Sequence, residues 1–183
     1  MNKDIAYEEE DCGHICLLYE DNKEKTQYLT EFFRYSLKDN RLCVFITATN
    51  KKKVIEDFNN SGLDIGSAVR KNSFRVLGTR AIYEPNGLFL SKQSLKLIIK
   101  LIEDALRLGY SGLSTAGEMD WLKCEDRYCS EVMRYESIVN YMTLPGSNFK
   151  AICIYPFKNK KKFGKEMEKV MNIHPFKVGL KKD

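Results

Sequence analysis

Short apolar segments alternate with longer amphipathic segments along most of the chain, and this alternation constrains the fold most. The apolar segments are rich in β-branched and aromatic residues and predict strands at residues 14–19, 42–47, 73–77, 113–116, 149–155 and 176–180. Apolar residues spaced by three and four predict helices at 51–60, 91–108, 126–142 and 163–171, and one carrying Leu29, Phe32, Phe33 and Leu37. This order predicts an α/β protein with a doubly wound, mostly parallel sheet and helices on both faces.

Parallel sheets of this kind bind ligands beyond the carboxyl ends of their strands, near the point where the strand order reverses. Polar and aromatic residues follow three predicted strands at that edge, within residues 19–21, 47–50 and 117–121. The 183 residues contain no internal repeat, low-complexity tract or linker, and this length suits one domain. We therefore expect an N-terminal extension over residues 1–11 and a single domain over residues 12–180.

Composition and charge exclude several classes of protein. Hydrophobic residues make up 43% and charged residues 30%, and no run of about 18 apolar residues is present to span a membrane. The acidic N-terminal residues lack the apolar stretch of a secretory signal, so we expect a cytoplasmic protein with reduced thiols. Residues 158–183 hold nine lysines and three acidic residues, but without a nucleic-acid motif a solvated basic surface is favoured over nucleic-acid binding.

The phosphate loop expected of a nucleotide-hydrolysing protein of this class is missing. That loop has the pattern GxxxxGK[ST] and lies between the first strand and the first helix. Aligning Lys25 and Thr26 with the end of the pattern places Tyr19 and Glu24 at the two glycine positions. Three carboxylates within the same eight residues would face the phosphates. We therefore expect no ATP hydrolysis, and we interpret Lys25 as a solvent-facing helix residue.

The segment 117–121 ends the fourth predicted strand and contains the single tryptophan of the chain. Glu118 and Asp120 beside Trp121 would suit ligand binding or acid–base chemistry, because strand ends of this type favour functional sites. An equally good interpretation is structural, with Asp120 capping the next helix and Trp121 lying in the core.

Glu136 falls on a largely apolar helical stripe. The residues that share its face are Cys129, Val132, Met133, Val139 and Asn140. A buried carboxylate must be paired, hydrogen-bonded or protonated, so Glu136 is a candidate for a binding role. The structural alternative is an ion pair with an arginine such as Arg34 or Arg75.

Metal binding by the thiols and imidazoles is weakly supported. Cys12, His14 and Cys16 alternate along the first strand, and the outer two lie about 13–14 Å apart, too far to share one zinc ion. Either adjacent pair has three further candidate ligands in the chain: Cys124, Cys129 and His174. No CxxC pair is present, so we expect no metal and no other cofactor. An enzyme that uses these His, Cys and Glu residues, with or without a metal, stays an alternative that metal analysis would decide.

Several segments of the chain together match the pattern of one known family: residues 13–20, 83–89, 109–113, 117–121, 135–140, 151–155 and 174–175. Through these segments the chain resembles the MEDS domain, a sensory domain of methanogens and methylotrophs that also occurs in a regulator of dichloromethane dehalogenation. The resemblance spans residues 12–180. It implies a degenerate relative of RecA- and KaiC-type ATPases, hence a RecA-like fold without a working phosphate loop.

The resemblance also implies a non-catalytic sensor of simple hydrocarbon derivatives, such as methylated or halogenated compounds. Together with the strand-end positions it predicts these ligand-binding residues: His14, Tyr19, Glu20, Tyr83, Glu118, Asp120, Trp121, Tyr135 and Glu136. Family members are often fused to helix-turn-helix or histidine-kinase domains, for which this chain has no room. We therefore expect output through a partner, such as a kinase or transcription regulator, or a chain that is one piece of a longer protein. A homo-oligomer and a nucleotide-binding protein without hydrolysis stay open.

Overall fold

A computed structural model describes residues 13–122, 126–158 and 164–180. Six strands alternate with helices along the chain. The strands are β1 (His14–Tyr19), β2 (Leu42–Thr47), β3 (Phe74–Gly78), β4 (Leu113–Glu118), β5 (Phe149–Pro156) and β6 (Phe176–Leu180). The helices are α1 (Asn22–Lys38), α2 (Lys51–Asn60), α3 (Ile65–Arg70), α4 (Thr79–Ile82), α5 (Ser91–Arg107), α6 (Asp126–Met142) and α7 (Lys165–Ile173).

All six strands form one parallel sheet in the order β3-β2-β4-β5-β1-β6. The first strand lies between β5 and β6, so that Cys16 pairs with Cys153 on one side and Lys177 on the other. The chain passes from β2 to β3 on one side of the sheet and from β4 to β5 on the other side. The strand order therefore reverses between the neighbouring strands β2 and β4. The prediction of an α/β fold with a parallel sheet is confirmed.

Helices cover both faces of the sheet because successive strand residues point to opposite faces and both sets are apolar. On one face, Leu17 and Phe45 pack with the buried phenylalanines of α1 and α2. On the other face, Cys16 and Val44 pack with α5, α6 and α7. We call the second face the α6 face, since the buried polar residues described below lie between the sheet and α6.

Two short helices, α3 and α4, were not predicted from the sequence. They span six and four residues, too short for a hydrophobic period of 3.6 residues to be recognisable. Local hydrogen bonding stabilises α3 instead, because the carboxylate of Asp64 accepts from the backbone N–H of Ser67. The predicted last helix is also displaced, since α7 begins at Lys165; Phe163 lies outside the described residues.

None of the helices within residues 13–122, 126–158 and 164–180 combines the length and the hydrophobicity needed to span a bilayer.

Candidate functional site

A buried ion pair joins α1 to the carboxyl edge of the sheet. Nζ of Lys25 lies 2.6 Å from Oε1 of Glu118, the last residue of β4. The other carboxylate oxygen accepts a hydrogen bond from the hydroxyl of Thr47, the last residue of β2. The ammonium also lies 4.6 Å from the centre of the Tyr19 ring, within cation–π range. Glu118 and Thr47 thus lie at the ends of β4 and β2, the two neighbours between which the strand order reverses, and Tyr19 lies at the end of β1.

The interpretation of Lys25 as a solvent-facing residue was wrong, since only 8% of it is exposed. The physical reason is the position of the helix start. Asp21 caps α1 immediately after β1, so the first turn of the helix lies against the sheet edge and Lys25 points back towards it. The Lys25 ammonium group, which in a phosphate loop would contact the phosphates, is therefore already paired with the carboxylate of Glu118.

A polar cleft of about 700 Å³ opens beside this ion pair, between α1 and α2. Its lining residues are mostly polar or basic: Asn22, Lys23, Lys25, Thr26, Gln27, Thr49, Lys53, Asp57, Asn60 and Ser61. Such a cleft suits a polar or anionic ligand rather than an apolar one.

An aromatic cluster lies behind the end of β4 on the α6 face. Trp121 stacks on Tyr83 with ring centres 5.2 Å apart, and its indole N–H donates to the carbonyl of Glu118 at 3.0 Å. Phe89 and Tyr135 complete the cluster with tilted and edge-on contacts. Burial raises the pKa of the Tyr83 and Tyr135 hydroxyls well above the usual range, so both rings stay neutral.

Gly117 is required beneath this cluster. A Cβ atom at that position would lie 1.9 Å from the hydroxyl oxygen of Tyr83. The Tyr83 ring is fully buried and stacked on Trp121, so it has no free space into which to move.

A small apolar pocket lies between the first turns of α6 and α7, which follow β4 and β5. Its volume is about 20 Å³, room for roughly one water-sized group. The side chains around it are Leu122, Tyr128, Cys129, Val132, Glu166, Met167 and Val170. Its accessible lining is entirely apolar, which suits a molecule with few polar groups.

The second half of α6 carries Glu136 into a fully buried polar cluster. Oε2 of this carboxylate lies 3.2 Å from Nε2 of His14, 3.4 Å from Nε2 of His174 and 3.1 Å from Sγ of Cys153. Oε1 accepts a hydrogen bond from the hydroxyl of Tyr155. The rings of His14 and His174 are 4.1 Å apart. We call His14, Glu136, Cys153 and His174 the buried His/Glu/Cys cluster.

Burial and charge act in opposite directions on Glu136. Burial raises the pKa of its carboxyl group, but the contacts with His174 and His14 outweigh burial and hold that pKa well below its usual range. Burial raises the pKa of Cys153 and of Tyr155 well above the usual range, and the charge on Glu136 adds to this effect. Burial lowers the pKa of His14 although Glu136 opposes the change. The cluster thus holds an ionised carboxylate with a neutral thiol and phenol as donors.

The structure separates the predicted ligand-binding residues into distinct groups. Tyr19 and Glu118 lie at the carboxyl edge, with Glu20 and Asp120 exposed beside them. The aromatic cluster contains Tyr83, Trp121 and Tyr135. The buried cluster contains His14 and Glu136. His14 begins β1 and Tyr19 ends it, so about 16–17 Å separates them along the strand.

The predicted structural partner of Glu136 was wrong. Arg34 forms its ion pair with Glu31 on α1, which packs on the opposite face of the sheet, and Arg75 is not among the groups that contact Glu136. The histidines take the place assigned to an arginine. The sequence also gave no reason to single out Cys153 and Tyr155 for Glu136, although they alternate along β5 and therefore share one face.

The candidate metal ligands are also rearranged. His14 and His174 meet in the buried cluster, whereas Cys16 and Cys129 belong to no metal-ligating group among the residues that the structure describes. Cys12 and Cys124 lie outside the described residues.

Comparison with known proteins agrees with this fold. The model of the family described as MEthanogen/methylotroph, DcmR Sensory domain (MEDS) matches residues 13–175. The chain belongs to the MEDS family. The resemblance inferred from the sequence is confirmed, and with it a sensory role at the level of the family. Curated protein sequences gave no significant match.

A solved structure shows the same architecture. The MEDS chain is similar to a KaiC-like protein from the hyperthermophilic archaeon Pyrococcus horikoshii, with a TM-score of 0.63 and 13% sequence identity. The match covers 94% of this chain and 75% of the other. At this identity the likeness establishes the RecA-like fold of the MEDS chain and nothing about its ligand.

Proposed function

We propose that this chain is a non-catalytic sensory domain that binds a small, weakly polar organic molecule, such as a methylated or halogenated hydrocarbon. The observation that carries the proposal is the apolar pocket between α6 and α7, whose accessible lining is without polar surface. Membership in the MEDS family supplies the sensory role, and the pocket supplies the chemistry of the ligand.

The pocket is small in this conformation. Its volume is about 20 Å³, far below the roughly 300–1,000 Å³ of sites for drug-sized molecules, so a ligand of several heavy atoms would have to move α6 away from α7. Apolar cavities of about 150 Å³ bind small apolar molecules such as xenon or benzene rather than water. Trp121, Tyr83 and Tyr135, predicted from the sequence as ligand-binding residues, belong to the same apolar layer of the α6 face but do not line the pocket.

The pocket and the buried His/Glu/Cys cluster share two helices, which suggests how binding is transmitted. Val132 lines the pocket one helical turn before Glu136, and Val170 lines it one turn before His174. A ligand between α6 and α7 would favour one separation of these helices over another. A change in this separation would alter the contact between Glu136 and His174. Glu136 also contacts His14 on β1 and Cys153 on β5, so the change would reach both strands.

Binding of such a ligand should raise the melting temperature of the protein. With dichloromethane or dimethyl sulfide at about 100 times Kd, stabilisation of about 2.7 kcal/mol corresponds to a rise of about 5–10 °C for a chain of this size. Differential scanning fluorimetry in sealed samples measures the shift. Val132→Phe fills the pocket and should abolish it.

The matched control is Ile138→Phe, which adds the same ring to the partly exposed side of α6 and should leave the shift intact. Tyr19, Glu20, Glu118 and Asp120 offer a second location for the ligand, at the carboxyl edge. A shift that survives Val132→Phe but disappears in Glu118→Ala would move the site to that edge. No shift with any methylated or halogenated compound would contradict the proposed function.

The polar cleft beside Lys25 favours a second candidate, a nucleotide-binding protein without hydrolysis. Lys23, Lys25, Thr26 and Lys53 border it, and the start of α1 adds a partial positive charge. The test is titration with a fluorescent ATP analogue. Saturable binding that Lys25→Ala abolishes would establish this candidate. We expect no saturable binding, because the Lys25 ammonium is already paired with Glu118.

A further inference from the structure

Four metal-ligating side chains from distant parts of the sequence converge beneath the sheet. His14 comes from β1, Glu136 from α6, Cys153 from β5, and His174 follows α7. Each is at least 97% buried, and one ligand atom from each lies within 4.8 Å of all the others. Burying four such polar groups in one place is costly unless each is satisfied.

Four of the six distances between these atoms are close to the edges of a zinc tetrahedron. Bonds of about 2.0–2.1 Å to nitrogen or oxygen and about 2.3 Å to sulfur give edges of about 3.3–3.6 Å. The cluster has edges of 3.2 and 3.4 Å from Oε2 of Glu136 to the two imidazoles. The sulfur of Cys153 adds edges of 3.6 Å to His14 and 3.1 Å to Glu136. These four of the six edges lie within about 0.5 Å of the zinc values. The other two, from His174 to His14 and to Cys153, are at most 4.8 Å.

The orientation of His174 provides a second, independent observation. Its Nδ1–H donates to the carbonyl of Val170 at 3.0 Å, so in the neutral ring Nε2 carries a lone pair. This Nε2 faces Glu136 at 3.4 Å and has no hydrogen-bond partner among the described residues. A neutral His174 would therefore direct a lone pair at the carboxylate, an unfavourable contact that either a proton on Nε2 or a metal cation between the two groups relieves. Metal-bound histidines typically donate their other ring N–H to a backbone carbonyl, as His174 does.

The charges of the cluster also suit a divalent cation. A zinc ion, the Glu136 carboxylate and a Cys153 thiolate sum to zero, which a fully buried site requires. Binding would replace the thiol proton of Cys153, which leaves to solvent. Tyr155 holds Oε1 of Glu136 and leaves Oε2 directed at the other three ligands.

We propose that His14, Glu136, Cys153 and His174 form a structural zinc site that ties β1, β5, α6 and the end of α7 together. Four protein ligands leave no open position, which is typical of structural rather than catalytic zinc. This inference goes beyond the sensory function and does not depend on the identity of the ligand. Any ligand-induced change in the separation of α6 and α7 would then act on a metal-bound junction.

Metal analysis of the full chain tests the site. Protein purified without chelator, in medium supplemented with zinc, should contain about one equivalent by mass spectrometry of the metal. Cys153→Ser and His174→Gln should each reduce this to below about a tenth of an equivalent, since losing a ligand costs more than the tenfold to hundredfold of an outer-shell partner. Cys16→Ala removes the neighbouring buried thiol on β1 and should keep the full content.

Cobalt replacement keeps the test decisive if the ligand variants fail to fold. Wild-type protein treated with chelator and then with Co²⁺ should show the visible bands of tetrahedral cobalt and a near-ultraviolet thiolate charge-transfer band. Wild-type protein that binds neither zinc nor cobalt overturns the proposal. Zinc retained in full by both ligand variants also overturns it, because the metal would then lie elsewhere.

Discussion

Glu136→Gln is expected to lower the free energy of unfolding by about 3–5 kcal/mol, the usual cost of removing one partner from a buried ion pair. Glutamine has the same shape but no charge, so the two histidines lose the anion that they face. For a chain of this length the melting temperature should fall by about 6–20 °C. Thermal unfolding followed by circular dichroism measures the change.

Glu103→Gln is the matched control, because Glu103 is an exposed glutamate on α5. Its replacement should change the free energy of unfolding by less than about 0.5 kcal/mol. Equal stability of the Glu136 variant and the wild type would show that the carboxylate is not ionised in the folded protein.

The second large effect is expected for Lys25→Met, which should cost about 2–4 kcal/mol. Without the Lys25 ammonium group, Glu118 is a buried charge whose remaining side-chain partner is the hydroxyl of Thr47. Because the hydrogen bond from Thr47 remains, we expect a smaller cost than the roughly 5 kcal/mol that breaking a buried ion pair can reach. Urea unfolding of Lys25→Met, Glu118→Gln and the double variant measures the coupling between the two residues. The double variant should be more stable than Lys25→Met alone, because it buries no unpaired charge.

Lys23→Met serves as the control on the same turn of α1, where the side chain is exposed. A Lys25 variant no less stable than the Lys23 variant would mean that the ammonium is solvated and the edge of the sheet is open. In that case the polar cleft would offer a free lysine to an anionic ligand.

The strands and long helices were predictable because their signals are local. The apolar run of β2 and the stripe of α5 are properties of six and 17 neighbouring residues. The strand order is not a local property. Nothing in residues 14–19 specifies that β1 pairs with β5 and β6 rather than with β2, because β1, β2 and β5 are all buried on both faces.

The same limit applies to the candidate site. The position of Glu136 on an apolar stripe predicted a buried carboxylate that needs partners, and the structure buries it completely. The partners themselves come from residues 14, 153, 155 and 174, which only the tertiary fold brings together. Lys25 was misinterpreted for a related reason, since helical periodicity does not reveal which side of a first turn overlies a sheet edge.

The position of β1 inside the sheet bears on how the chain folds. Its partners start 137 residues later, where His14 pairs with Ala151, and the pairing of Ile15 with Phe176 spans 161 residues. Contacts of such long sequence separation form slowly, because large loops must close before the pairing stabilises them. Until β5 and β6 arrive, β1 has two unpaired edges and an apolar surface on each face, the properties of an aggregation-prone segment. Recombinant fragments that stop after β4 should therefore collect in inclusion bodies.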